Sequence, residues 1–242
     1  MSFIENILKS VVLDQATIIE KNTLSDSAVK IRIQGDSIKK IAFVPGYFLR
    51  LGIGIENEQL PLNDKVRSYS IWDIDTTNGT IDIAIATLSG GVGSQWAKHC
   101  KVGDNVYYKL KKGKFLVDDS ADSYLLLGDL SALSHLYMIN RHLGLGKQVQ
   151  SIIYSQQYEQ LFTDVDGSKP FDFYEMAPYP RELVIPKLKE IVTGLPGKAI
   201  IYIAGDSRLC IAVTQYLRKE LNWESKQIKT KPFWSPDKKG LE

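Results

Sequence analysis

The hydrophobic pattern of this chain changes period near Asp118-Asp119-Ser120. Before that point, short runs of alternating apolar and polar residues are separated by turn residues. After it, compact apolar runs alternate with longer segments of helical spacing. Period-2 runs fit strands with one buried face, and alternating strands and helices fit a mainly parallel sheet. The 242 residues therefore read as a β-barrel followed by an α/β region, divided as 1–119 and 120–242. That length accommodates two domains of ordinary size, each with its own core.

In the first part the strand candidates are Gln15–Lys21, Ala28–Gln34, Tyr47–Ile53, Val66–Asp73, Thr80–Thr87 and Asn105–Leu110, after a short helix over residues 2–9. The breaks include Asp36, Pro45-Gly46, Asn63-Asp64 and Asn78-Gly79. Asn-Gly between alternating runs is a hairpin signal, because both residues tolerate positive φ. Short strands at this spacing suggest an antiparallel barrel or sandwich. In the second part the strand candidates are Tyr124–Leu127, Gln148–Tyr154, Pro170–Met176, Lys198–Ala204 and Gln227–Phe233, with helices over Leu130–Leu143, Glu182–Val192 and Ile211–Leu221.

Three stretches carry chemistry. On a strand, Arg67 and Tyr69 project together while Ser70 turns the other way. An Arg fork suits a phosphate, a Tyr ring lies flat on a planar heterocycle, and a Ser hydroxyl donates to a ring nitrogen or oxygen. The same pattern also describes a surface Arg beside a packed Tyr. Next, Ser89-Gly90-Gly91-Val92-Gly93-Ser94 leads into a helical run from Gln95 to Cys100, with Ser94 placed as its N-cap. Glycines there let the backbone approach a ligand, and the first helical amides suit a phosphate. A flexible turn before a capped helix has the same composition. Finally, a strand-Gly-Asp-helix pattern occurs twice, at 124–136 and 199–217. In parallel sheets ligands gather at the carboxyl ends of strands, where Gly128 and Gly205 would permit close approach.

The composition narrows the classes. A net charge of +2 gives no argument for nucleic acid. The clearly apolar runs, such as Tyr124–Leu127 and Ala199–Ala204, are too short to cross a membrane. Met1 to Ser10 carries Glu5 and lacks the pattern of a signal peptide. Two distant cysteines, Cys100 and Cys210, exclude a Cys-rich iron–sulfur or zinc site and fit a reducing, cytoplasmic setting. His99, His135 and His142 form no metal-ligand pattern. Walker, G-x-S-x-G and Gly-x-Gly-x-x-Gly motifs are absent.

Taken together, these stretches resemble the siderophore-interacting proteins, a group within the ferredoxin reductase-like flavoproteins. The resemblance runs from about Val44 to Gly240. It rests on Pro45-Gly46 followed by Tyr47-Phe-Leu-Arg50, on Arg67-x-Tyr69-Ser70, and on Gly91-Val92-Gly93-Ser94-Gln95-Trp96-Ala97. It continues through Gly128-Asp129-x-Ser131-Ala132-Leu133, Ala204-Gly205-Asp206 with Leu217-Arg218 downstream, and Lys231-Pro-Phe-Trp234 to Gly240.

The resemblance implies an antiparallel Greek-key FAD-binding barrel followed by an NAD(P)H-binding α/β domain, and reduction of a ferric siderophore. It implies that Arg67 holds the FAD phosphate, that Tyr69 packs on the isoalloxazine, and that Ser70, beside Ser68, reaches its polar edge. Gly93 and Ser94, with Gly91, Gln95 and Trp96, would border the pyrophosphate. Gly128, Asp129, Ser131, Ala132, Gly205 and Asp206 would border the nicotinamide nucleotide, and Phe233 or Trp234 would close over the flavin. No catalytic acid or base and no metal ligands are implied. Lys226, Lys229, Lys231, Lys238 and Lys239 make the C-terminal stretch basic. Lys229 and Lys231 are the candidates for attracting a ferric siderophore or other anionic ferric chelate; a solvated, fraying tail has the same composition. NADH, NADPH and a ferredoxin all stand as electron donors. The chain departs from the family pattern at Trp72 and Gln95, where an arginine is usual, and at Val92, which stands for a proline. A His and a Pro often found before the glycine-rich turn are missing. Two other readings stay open: a general flavin or partner-protein reductase, and a non-catalytic chelate carrier.

Overall fold

The computed structural model describes residues 13–55 and 65–238. The expected helix over residues 2–9, the Asn63-Asp64 break and Gly240 lie outside the described residues. The chain divides into two compact units between Lys114 and Phe115.

Among the described residues, seven strands build the first unit: β1 (Asp14–Ser25), β2 (Ala28–Gln34), β3 (Phe48–Gly52), β4 (Val66–Ser70), β5 (Asp73–Asp75), β6 (Thr80–Ala86) and β7 (Asn105–Lys111). They form one antiparallel sheet in the order β4-β3-β7-β1-β2-β6-β5. The outermost strands, β4 and β5, are consecutive in the chain and joined only by Ile71-Trp72. A link that short spans at most about 11 Å. Strands at opposite ends of a seven-strand order therefore lie close together, so the sheet curls into a barrel. Alternate residues fill it: Ile18, Ile31, Ile33, Leu49, Leu51, Ile81, Ile83 and Tyr108 are fully buried.

The barrel corrects one sequence expectation. Val66–Asp73 is not one strand. Ile71 and Trp72 are buried at the corner, and the Trp72 amide donates to the Asp82 carbonyl at 2.9 Å. The Asn78-Gly79 turn does close the β5–β6 hairpin, with Gly79 at φ +67°. On β2 and β6, Arg32 grips the buried Asp82 carboxylate with two bonds of 2.6 and 2.7 Å, and Lys30 adds a contact at 3.3 Å. Asp82 holds the Arg32 guanidinium firmly in its charged form.

The second unit has a five-stranded parallel sheet: β8 (Ser123–Asp129), β9 (Gln148–Ser155), β10 (Phe173–Glu175), β11 (Ala199–Asp206) and β12 (Ile228–Trp234), in the order β10-β9-β8-β11-β12. Every residue of β8 and β11 is buried. Near-continuous apolar strands are what a parallel sheet covered on both faces requires. Helix α2 (Leu133–Arg141) follows β8 through a 3-10 turn at Leu130–Ala132, and α3 (Arg181–Thr193) and α4 (Ser207–Lys219) pack together. Leu125, Leu127, Ile201 and Ile203 share a core with Val184, Leu188, Val213 and Leu217. The other face of β8 meets α2, where a side chain on Gly128 would strike Leu136.

The division at Lys114/Phe115 has a local cause. The Tyr202 hydroxyl donates to the Leu116 carbonyl at 3.0 Å and accepts from the Asp118 amide at 2.7 Å. The Tyr124 hydroxyl donates to the Asp118 carbonyl at 2.9 Å. Phe115 is buried against His135 and Tyr202. Two core tyrosines thus fasten residues 115–121 to the second sheet, although those residues look like linker in composition.

Candidate functional site

Within the first unit, the flavin-strand candidates and the glycine turn come together. Helix α1 (Val92–His99) starts with Gly91 as N-cap, and no side chain caps its first amides. A Cβ on Gly93 would lie 2.5 Å from the Tyr69 hydroxyl and 3.5 Å from Arg67 Cγ. The Tyr69 and Trp96 rings stack at 6.3 Å and 28°. Arg67, Tyr69, Gly93 and Trp96 therefore converge at the start of α1. One Arg67 nitrogen donates to the Val66 carbonyl at 2.7 Å, which orients the guanidinium. An arginine fork beside uncapped helical amides and a planar aromatic ring fit a nucleotide that carries both a diphosphate and a flat heterocycle.

Two details differ from the sequence reading. Ser94 lies inside α1 and does not cap it; its hydroxyl turns into the fold and donates to the Thr87 carbonyl at 3.0 Å. Trp72 is 2% exposed at the barrel corner and replaces a family arginine with packing. Sequence reasoning passed over Arg50. It pairs with Ser68 across β3 and β4, and its buried Nε has no acceptor within the described residues. The signal was available: an arginine interrupts the apolar run Tyr47-Phe-Leu-Arg-Leu51.

In the second unit, the two Gly-Asp turns sit at the carboxyl ends of adjacent strands. The chain runs outward from β8 to β9 and β10, then returns to place β11 beside β8. Their carboxyl ends therefore form the switch point where such sheets receive ligands. The protein itself fills the space beside both glycines. A Cβ on Gly128 would lie 2.8 Å from Leu136 Cδ1 and 3.0 Å from the Ala204 carbonyl oxygen. Gly205, at φ +114°, has the Asp129 carboxylate over it. Each glycine thus makes room for neighbouring protein atoms.

Asp129 is the centre of this cluster. Its carboxylate accepts from the Ser131 amide at 2.9 Å, the Ser131 hydroxyl at 2.5 Å, the Asp206 amide at 2.8 Å and the Trp234 indole at 2.8 Å. Burial pushes Asp129 above the usual carboxylate range, while the four donors favour its charged form. Asp206 is also buried but pairs with Arg208, whose amide and guanidinium both reach it. Ala132 is buried in the 3-10 turn that follows Asp129. Of the two terminal aromatics, Phe233 meets the His135 ring edge-on at 5.6 Å and Trp234 reaches Asp129. Burial holds His135 neutral, at about 4.

The lysine candidates separate. Lys229 pairs with Asp118 at 3.0 Å, and Lys226 with Glu224 at 2.7 Å. Lys231 is partly buried, and that burial lowers its pKa. No group of three or more metal-ligating side chains occurs among the described residues, and none of their helices is long and apolar enough to cross a membrane.

Residues 15–116 match the oxidoreductase FAD-binding domain, and residues 121–237 match the siderophore-interacting protein model. Over residues 121–237 the chain belongs to the siderophore-interacting protein family. It has that family's FAD-binding, ferredoxin reductase-like fold. The siderophore-interacting protein SipS from Aeromonas hydrophila superposes with a TM-score of 0.75 at 18% identity, covering 93% of this chain and 92% of that one. A siderophore utilization protein from T. fusca gives 0.73 at 16% identity, covering 95% of both chains. At these identities the likeness speaks for the fold. In sequence, the chain is 25% identical over 221 residues to the toluate 1,2-dioxygenase electron transfer component of Pseudomonas putida, covering 85% of this chain and 63% of that relative's length. The family membership makes the chain an FAD-binding oxidoreductase.

Proposed function

We propose that this family member is a ferric-siderophore reductase. Electrons would come from NADH, NADPH or a ferredoxin and reach chelated iron(III), which leaves as iron(II). The convergence of Arg67, Tyr69, Gly93 and the uncapped start of α1 carries this reading. FAD, when bound, converts a two-electron donor into the single electrons that iron(III) accepts.

The protein's own residues bind and orient. Arg67 and the first amides of α1 would hold the diphosphate, with Arg50 as a further donor on β3. Tyr69, backed by Trp96, would supply the flat surface for the isoalloxazine, and Ser68 and Ser70 would offer hydroxyls to its polar edge. Lys229, which also pairs with Asp118, and Lys231 would attract an anionic chelate. Iron(III) takes up only an electron, and the proton left over from a nicotinamide hydride would pass to solvent, so no acid or base of the protein is assigned to the step. A cytoplasmic location is part of the same proposal.

The likeness to a dioxygenase electron transfer component favours a second reading, in which the electrons pass to a partner protein. One experiment separates the two. Purified protein is loaded with FAD, desalted, and reduced without oxygen by NADH, NADPH or reduced ferredoxin. Flavin colour that bleaches and returns on adding a ferric chelate, with iron(II) trapped by a chromogenic ligand, supports the reductase. Bleaching that no ferric chelate reverses points to a partner protein. Failure to retain flavin removes both readings.

A further inference from the structure

Helix α1 carries the amides offered to the flavin diphosphate, yet its sequence gives it little reason to form. It has eight residues, fewer than an isolated helix needs in water. Gly91 is its N-cap and Gly93 lies in its first turn, where each adds backbone freedom, and no side chain caps that end. The opposite end is held. The Lys21 ammonium, 77 residues before the helix end it grips, donates to the Lys98 carbonyl and to the Cys100 carbonyl, both at 2.8 Å. The Cys100 amide donates to the Trp96 carbonyl at 2.8 Å. The last carbonyls of a helix have no donor within it, and a cation beside them also suits the helix dipole.

A bulge in β1 aims Lys21 at the helix. Ala16 and Ile18 are buried, and Ile18 pairs with Ile33, which fills the barrel. Simple alternation would put Glu20 on that same face. Between Ile18 and Glu20 the register shifts by one residue, so Glu20 pairs with Arg32 and Lys21 with the buried Ile31. Directly opposed residues share a face. The extra residue thus sends Glu20 to Lys30 and Arg32, and turns Lys21 to the side of Ile31, where it reaches α1.

The two ends of so short a helix lie about 12 Å apart and move together. We propose that Lys21 is a positioning residue for the flavin site: its ammonium ties the C-terminal end of α1 to β1, and so holds the uncapped amides at the other end in place beside Arg67 and Tyr69. Lys21 touches no flavin atom itself. The proposal rests on the reading of the start of α1 as the seat of the FAD diphosphate.

The test is a set of flavin-fluorescence titrations on the full-length apoprotein, with FAD and with riboflavin. Lys21→Met keeps the stem and removes the charge. Its FAD affinity is expected to fall about tenfold, the worth of one charge-assisted hydrogen bond of the weaker kind. Riboflavin has the isoalloxazine and no phosphate. Its affinity is expected to stay within about twofold, because Tyr69 is carried by β4 and not by the helix. Lys21→Arg keeps a charged donor and is expected to recover most of the FAD affinity. Unchanged FAD affinity in Lys21→Met overturns the proposal, as does an equal loss for FAD and riboflavin, or a Lys21→Arg that loses as much as Lys21→Met. Where riboflavin binds too weakly to titrate, the arginine variant decides, and Lys21→Gln takes the place of a Lys21→Met that does not fold. Failure of the natural protein to bind FAD would instead refute the flavin reading, whatever Lys21 does.

Discussion

Gly93→Ala is the substitution that most directly interrogates the flavin site. The added methyl would lie 2.5 Å from the Tyr69 hydroxyl, where ordinary contact begins near 3.4 Å, so the two must separate by about 0.9 Å. The hydroxyl caps a rigid ring stacked on Trp96, so it cannot swing aside without moving the ring. Overpacking of this kind costs about 1–3 kcal/mol. If the ring must be in place to receive the isoalloxazine, FAD affinity falls by about 5- to 150-fold. The helix itself should not suffer, because alanine is the better helix former by about 1 kcal/mol. Thermal stability should therefore fall by less than the overpacking cost alone. Tyr69→Phe keeps the ring and removes the obstructing oxygen, so the double variant should recover most of the lost affinity. Flavin-fluorescence titrations of the four proteins give a double-mutant cycle with an expected coupling of about 0.5–3 kcal/mol. Additive effects, or unchanged FAD affinity in Gly93→Ala, would refute the placement of flavin against Tyr69.

Other perturbations reach the rest of the molecule. Asp82→Ala leaves Lys30 and Arg32 without their buried partner and should cost about 3 kcal/mol in urea unfolding; Glu20, within 2.9 Å of Lys30 and 3.2 Å of Arg32, keeps the cost at the low end of that class. His135 should make stability depend on pH: its folded value of about 4 lies below its ordinary 6.5, so the unfolded chain takes the proton first. The contribution is complete above pH 6.5, is lost progressively as pH falls toward 4, and amounts to at most about 3 kcal/mol. His135→Gln should flatten that part of the stability–pH profile. Lys229→Gln and Lys231→Gln should each raise KM for an anionic ferric chelate at low ionic strength. An unchanged KM, or a change that salt does not remove, would exclude this strand from chelate attraction.

The parts of the fold visible in the sequence are those where one physical signal dominates. The buried runs around Leu125–Leu127 and Ile200–Ile203 read as parallel strands because both faces are covered. Asn78-Gly79 read as a hairpin because of its backbone tolerance. The misses arise where two explanations share a composition. Ile71 and Trp72 continue the alternation of β4, so the corner that closes the barrel looks like more strand. Ser94 has the chemistry of an N-cap, but the helix starts earlier and the hydroxyl finds the Thr87 carbonyl. Gly128 and Gly205 signal close approach, and sequence does not say whether a ligand or a protein side chain arrives. Strand periodicity alone puts Arg67 and Tyr69 on one face, and in the structure both lie beside Gly93.

The two Gly-Asp turns show how little sequence separates one electrostatic outcome from another. Both follow buried strands, and both carboxylates accept from the amide two residues on. The difference is the side chain at that position: Arg208 after Asp206, Ser131 after Asp129. An arginine folds back and neutralises its aspartate. A serine supplies only a hydrogen bond and brings no counter-charge. Asp129 therefore recruits the Asp206 amide and the Trp234 indole from β11 and β12, so its carboxyl group ties three strand ends together at the switch point. Asp129→Ala should therefore loosen Trp234 and the turn after β11 together.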